Sequence, residues 1–162
     1  MRTQCSGALE HVDVLLVCST GGHLLQLHAL RDAWQPYSHA WVTHDRSDAR
    51  SILDGEVVVH AYWPTIRNVR NLIRNTALAV RVVRRTRPRV ILTTGAALAV
   101  PFAWVGRAYG VRVVYVESLT RITSPSLSLR LIAPVAERIY VQWPELTKAV
   151  PSARYAGSVF AG

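Results

Sequence analysis

The sequence predicts an α/β protein with a doubly wound parallel sheet. Three observations carry that expectation. Apolar runs of strand length alternate with stretches of helical periodicity. The first run, residues 12–18 (VDVLLVC), is almost continuously apolar, the mark of a strand covered on both faces. The chain has 162 residues, half of them hydrophobic, which suffices for a single packed core and excludes a disordered chain.

Each element follows in order. After the first strand comes STGGH (residues 19–23), then a helical pattern carrying Leu24, Leu25, Leu27 and Leu30. Residues 39–43 (HAWVT) read as a strand, 47–53 as a short helix and 57–62 as a third strand. A long helix is expected over 65–86, stopping ahead of Arg87-Pro88 because the residue before proline disfavours the helical region. Residues 89–94 (RVILTT) form a strand broken by Gly95, and 98–109 a helix ended by Gly110. Residues 111–117 (VRVVYVE) form a strand. Residues 124–136 form a helix with Pro125 in its first turn, 138–142 a strand, and 155–160 one more short strand. No internal repeat or linker divides the chain. The expected organisation is a flexible N-terminal segment over 1–11 and one domain over 12–162.

Charge is uneven along the chain. The formal net charge is +9, and 18 of the 19 basic residues are Arg. Residues 1–56 hold seven acids against four Arg, whereas the remainder holds 15 bases against Glu117, Glu137 and Glu145. Such polarity points to an anionic partner: phosphate, nucleic acid or a membrane surface. Cys5 and Cys18 make no disulfide framework, and Cys18 ends an apolar run as a buried thiol, which fits a reducing cytosol. No signal peptide is expected from the polar first residues. The 17-residue uncharged stretch 90–106 contains Gly95 and Pro101 and reads as strand plus helix, not a membrane span.

In open α/β sheets ligands bind beyond the carboxyl ends of the strands. That rule selects residues 19–23, 94–97 and 117–123. In the first loop, Ser19, Thr20, Gly21 and Gly22 would bring backbone N–H groups to a phosphate or a sugar oxygen at a helix start. His23 is a base, a phosphate ligand or a loop-structuring hydrogen bonder. In the second, Thr94 and Gly95 either contact substrate through the backbone or ease a tight turn. In the third, Glu117 either acts on a hydroxyl as a base or pairs with Arg121 to hold the loop. Ser118 lies beside it, and Arg121 suits a pyrophosphate. The glycine pattern is neither GxGxxG nor a Walker A motif, which weakens dinucleotide binding and nucleotide hydrolysis. There is no CxxC, HExxH or Asp-x-Asp, so no metal or other cofactor is expected. No GxSxG elbow is present.

On the long helix, at 100° per residue from Ile66, Arg67, Arg70, Arg74, Arg81 and Arg85 fall between about 40° and 100°. Ile66, Val69, Ile73, Ala77 and Val80 fall between about 300° and 20°. The two stripes describe either a core-facing helix with a solvated Arg edge or a surface for anionic lipid headgroups, with Trp63 ahead of it as an interfacial anchor. Nucleic acid is the weaker partner, since no nucleic-acid module is present.

STGGHLLQL after the first strand, TTGAALAVP after a middle strand, YVESLTRITSPSLSLRLIAPVAERIYVQWPEL and a terminal YAGSVF together resemble the bacterial PssD/CpsF-type polysaccharide biosynthesis proteins. That family is similar to the membrane-recruiting subunit of the two-subunit N-acetylglucosaminyltransferase of dolichol-linked oligosaccharide synthesis. The resemblance implies a Rossmann-like domain equivalent to the N-terminal half of a GT-B glycosyltransferase. It implies an acceptor-side subunit at the cytoplasmic face of the membrane, acting with a second glycosyltransferase subunit that carries the donor-binding half. The reaction it implies moves N-acetylglucosamine, glucuronic acid, glucose or galactose from a UDP-sugar to a polyprenyl-diphosphate-linked acceptor in exopolysaccharide or capsule synthesis. Glu117 and His23 are then the catalytic candidates, with Glu117 slightly ahead as base. Gln142, Trp143 and Glu145 are partner contacts, unless VQWP is only a structural turn. The dolichol-pathway relative carries an N-terminal membrane anchor that this chain does not show, so contact with the membrane surface is expected to be peripheral, through Trp63, Arg67, Arg70 and Arg74. A non-catalytic recruiting scaffold and a nucleotide- or nucleic-acid-binding domain remain as alternatives.

Overall fold

The computed structural model describes residues 10–160. Most of the expected flexible segment 1–11, and Cys5 with it, lies outside the described residues. Seven parallel strands form one sheet in the order β3-β2-β1-β4-β5-β6-β7. They are β1 (Val14–Val17), β2 (His39–His44), β3 (Val58–Ala61), β4 (Val90–Thr93), β5 (Arg112–Val116), β6 (Arg138–Val141) and β7 (Arg154–Tyr155). The chain builds outward from β1 to β3, returns, and builds outward the other way from β4. Strand order therefore reverses between β1 and β4, which pair directly, Leu16 beside Leu92.

Helices cover both faces. α1 (Gly22–Ala29), α2 (Arg31–Trp34) and α3 (Ser47–Ile52) lie on one side, where Leu24, Leu27, Trp34 and Ala49 pack on Leu16 and Trp41. α4 (Val69–Thr86), α5 (Ala99–Ala108) and α6 (Leu127–Ile132) lie on the other, where Val82, Phe102 and Leu129 pack on Leu15, Ile91 and Val113. A short α7 (Leu146–Ala149) precedes β7. Leu15, Leu16, Val17 and Cys18 are fully buried, as a doubly covered strand requires. Burial pushes the Cys18 thiol up, so it packs as an inert apolar group.

The short helices α2 and α7 are not among the expected elements, and three of the expected ones differ in extent. The last strand is two residues long rather than six. α6 starts at Leu127, because Ser126 takes the cap position and accepts a hydrogen bond from the Leu129 N–H. α4 starts at Val69, not at 65. Arg67 stands at φ 51, outside the helical region, and Asn68 caps the helix by accepting from the Asn71 N–H.

The third difference changes the reading of α4. The apolar stripe does not face the core. Ile66 (77% exposed), Val69 (70%) and Ile73 (65%) point to solvent. The buried face carries Asn71, Asn75, Ala79, Val82, Val83 and Thr86, roughly on the opposite side of the helix. The two asparagines are buried because they latch the preceding loop. Asn75 accepts from the Tyr62 N–H and donates to its carbonyl, and Asn71 donates to the Pro64 carbonyl. A core-facing helix with only an Arg edge in solvent is thereby excluded for its first two turns.

His44 ends β2 fully inside the protein, and its Nε2 finds no hydrogen-bond partner among the described residues. Burial first, and the nearby Arg46 charge second, hold its imidazole below the ordinary value of 6.5. Below that value the unfolded chain takes up a proton that the folded chain resists, so stability falls as pH is lowered. His44→Leu is expected to flatten this acid-side slope, measured by urea unfolding at about pH 7.5 and about pH 5.

Candidate functional site

The loops after β1 and β4 diverge where strand order reverses, and this is the crevice that an open α/β sheet offers to ligands. On the β1 side, Gly21 sits at φ 75 and ψ −138, a conformation that needs glycine. Its N–H donates to Oδ2 of Asp48 on α3 at 2.8 Å, which fixes the loop to the neighbouring element. No side chain caps α1. The N–H groups of its first turn, at exposed Gly22 and half-buried His23, are left for an anion.

His23 and Thr94 tie the two sides together. His23 Nδ1 lies 2.8 Å from the Thr94 carbonyl, and Thr94 Oγ1 donates to the His23 carbonyl at 2.8 Å. A carbonyl only accepts, so Nδ1 carries the proton of the neutral ring and Nε2 keeps a lone pair. Thr94 and Gly95 are themselves buried. They stand behind the loop as support, rather than presenting atoms at its surface as expected from the sequence. Gly95 sits at φ 97 and donates its N–H to Thr93 Oγ1. A Cβ there would stand 2.5 Å from the Tyr115 hydroxyl.

Glu117 is 1% exposed. Its Oε1 accepts from the Ser118 N–H at 2.8 Å and from the Tyr115 hydroxyl at 3.3 Å, and its Oε2 accepts from the Ser126 N–H at 2.9 Å. The carboxylate thus pins both ends of the 118–126 loop. Its partners are backbone N–H groups and a hydroxyl rather than Arg121. Burial, and then the Glu117 carboxylate, push the Tyr115 hydroxyl up, so it stays a neutral donor. Ser118 is buried with Oγ 3.0 Å from Thr120 Oγ1. Arg121 is exposed.

The expected partner contacts separate. Gln142 is buried, with its amide fully used inside the domain, so it is no surface contact. Trp143 donates its Nε1 proton to the Leu119 carbonyl at 2.6 Å, which makes it a strut of the same loop. Only Glu145 is exposed. Trp63 and Arg67 follow β3, and Arg70 and Arg74 lie on the first turns of α4. The Arg46 guanidinium stands 5.7 Å from the Trp63 ring and that of Arg74 5.2 Å from the Tyr62 ring. Sequence patterns missed Asp48, Tyr115, Ser126 and Gln26. Gln26 alone left a trace, a polar residue between Leu24 and Leu27 on the buried side of α1. Gly95→Ala is expected to cost about 2 kcal/mol from backbone strain and the Tyr115 clash, and to lower the midpoint of urea unfolding without changing its slope.

Residues 49–159 match the family described as "Oligosaccharide biosynthesis protein Alg14 like". Curated relatives are named UDP-N-acetylglucosamine transferase subunit ALG14. The one from Yarrowia lipolytica is 36% identical over 87 residues, covering 50% of this chain and 40% of the relative. That from Eremothecium gossypii is 38% identical over 103 residues, covering 56% and 46%. The human protein is 23% identical over 183 residues, covering 93% and 84%. The matches thus span less than half of the fungal relatives' length. Among solved structures, Acinetobacter baumannii MurG superposes with a TM-score of 0.73 at 15% identity over 90% of this chain and 45% of its own. A UDP-N-acetylglucosamine 2-epimerase from Rickettsia bellii gives 0.70 at 10% identity over 93% and 46%. These likenesses show a Rossmann-like domain of the kind found in GT-B enzymes. The family match covers more than half of the chain, and the chain belongs to the Alg14-like family of oligosaccharide biosynthesis proteins.

Proposed function

We propose that this chain is the acceptor-side subunit of a two-chain, inverting glycosyltransferase. It would act on a polyprenyl-diphosphate-linked acceptor at the cytoplasmic face of a membrane, with a partner that binds the UDP-sugar. The observation that carries this reading is the His23 ring in the uncapped first turn of α1, with Nδ1 on the Thr94 carbonyl and Nε2 left with a lone pair. An acceptor diphosphate fits the α1 N–H groups, with Arg121 as a charge partner across the crevice. The acceptor hydroxyl then attacks the anomeric carbon. The new C–O bond forms as the bond to UDP breaks, UDP leaves with the electron pair, and the hydroxyl proton passes to His23 Nε2. Glu117 is assigned the 118–126 loop rather than the proton, because both of its oxygens already bind that loop. The names of the relatives favour N-acetylglucosamine as the sugar. The ESLTRI…VQWPEL stretch supports a bacterial exopolysaccharide or capsule setting.

In the complex with its donor-side partner, His23→Gln is expected to lower kcat by about 10²–10⁴ while partner binding is retained. Undiminished turnover in that variant would favour a recruiting scaffold that contributes no chemistry.

No helix among the described residues is long and apolar enough to cross a membrane. The start of α4 offers a peripheral surface instead. Trp63, Ile66, Val69 and Ile73 are exposed, with Arg67, Arg70 and Arg74 among them. Each Arg near an anionic surface contributes about 1 kcal/mol, so changing all three to Glu is expected to reduce binding to anionic vesicles by on the order of 100-fold or more. Sedimentation with phosphatidylserine vesicles measures it, and binding of the parent chain should weaken with salt.

A further inference from the structure

Two buried glutamines join parts of the domain that are far apart in sequence. Gln26 is 5% exposed and Gln142 4%. Gln142 Oε1 accepts from the Val159 N–H at 3.0 Å, with Ser158 Oγ at 3.4 Å. Gln142 Nε2 donates to Gln26 Oε1 at 2.8 Å and to the Glu117 carbonyl at 3.0 Å. Gln26 Oε1 also accepts from the Leu119 N–H at 2.8 Å. Gln26 Nε2 donates to the Gly22 carbonyl at 3.1 Å, one residue before His23. Every strong donor and acceptor of the two amides is committed, so neither can turn over alone.

The geometry points to Gln142 and Gln26 as positioning residues that set the His23 loop through the C-terminal segment at Ser158–Val159. The reason is the order of bonds. Any change at the segment acts on Gln142 Oε1. Were the Gln142 amide reversed, its oxygen would face two acceptors, Gln26 Oε1 and the Glu117 carbonyl. Gln26 answers only by reversing in turn. That removes the acceptor of the Leu119 N–H and the donor to the Gly22 carbonyl together. The 118–126 loop and the first turn of α1 therefore move as a pair, and the distance between Arg121 and His23 follows. The catalytic consequence rests on the proposed transferase reading; the physical linkage does not.

The test uses the full chain and two variants. Gln142→Glu keeps the acceptor for Val159 and removes both donated bonds. Gln26→Glu keeps both accepted bonds and removes the donations to the Gly22 carbonyl and, at 3.5 Å, to Ser118 Oγ. Amide hydrogen exchange and the His23 ring ¹⁵N shifts, which report its tautomer, are measured for each. In Gln142→Glu, exchange should rise by about tenfold or more at Leu119 and at Leu25, the first amide of α1 that is hydrogen-bonded, the loss of about one hydrogen bond at each place. Val159 should stay protected, and the His23 signals should shift. In Gln26→Glu the first turn of α1 should change and Val159 should not. Changes confined to direct contacts of residue 142, with His23 and the α1 start as in the parent, would overturn the inference. Should Gln142→Glu not fold, an unchanged α1 start and unchanged His23 signals in Gln26→Glu overturn it equally. With the donor-side partner present, kcat is expected to fall in both variants with KM for the UDP-sugar unchanged. A parent complex that transfers no sugar refutes the transferase reading alone, since the exchange results stand without it.

Discussion

The site depends on a pair of hydrogen bonds between His23 and Thr94. They span the line where strand order reverses, and they join a loop from one half of the sheet to a loop from the other. A parallel sheet leaves such loops splayed, because successive crossovers run in opposite directions. The reciprocal bond holds the crevice at a fixed width and sets the imidazole tautomer at the same time. Gly95 serves the same constraint from behind. Its positive φ and missing Cβ let the β4 loop turn against Tyr115, whose hydroxyl reaches Glu117.

Around this pair the protein uses polar groups as internal fastenings. Glu117, Gln26 and Gln142 are all buried, and each satisfies backbone groups of loops that lack secondary structure. A buried polar group without a partner is costly, so complete pairing fixes a unique loop geometry. The same logic operates at α4. Asn71 and Asn75 spend the buried face of the first turns on the 62–64 backbone, and the apolar side chains are turned outward. An exposed apolar stripe among arginines results from a local hydrogen-bonding requirement, and it leaves a surface suited to anionic lipid.

Legibility in the sequence differed by type of signal. Strands β1, β2, β4, β5 and β6 were readable because doubly covered parallel strands are continuous apolar runs. The switch-point loops were readable because glycine and polar residues end those runs. The start of α4 was misplaced because helical periodicity continues through Ile66 and Arg67, while Arg67 leaves the helical region. Gln142 reads as a surface residue because a polar side chain after a strand looks exposed until its partners, 25 and 116 residues away, are known.

The sequence by itself determined the fold class, the glycine-bearing loops at the strand ends and the buried Cys18. These depend on local pattern: run length, periodicity and glycine at strand ends. Tertiary structure alone decided which His23 nitrogen keeps its lone pair, that Glu117 pins a loop, that Gln142 is internal, and which face of α4 meets solvent. Each depends on a partner far along the chain, and a hydrogen bond between distant residues leaves no periodic trace in either segment.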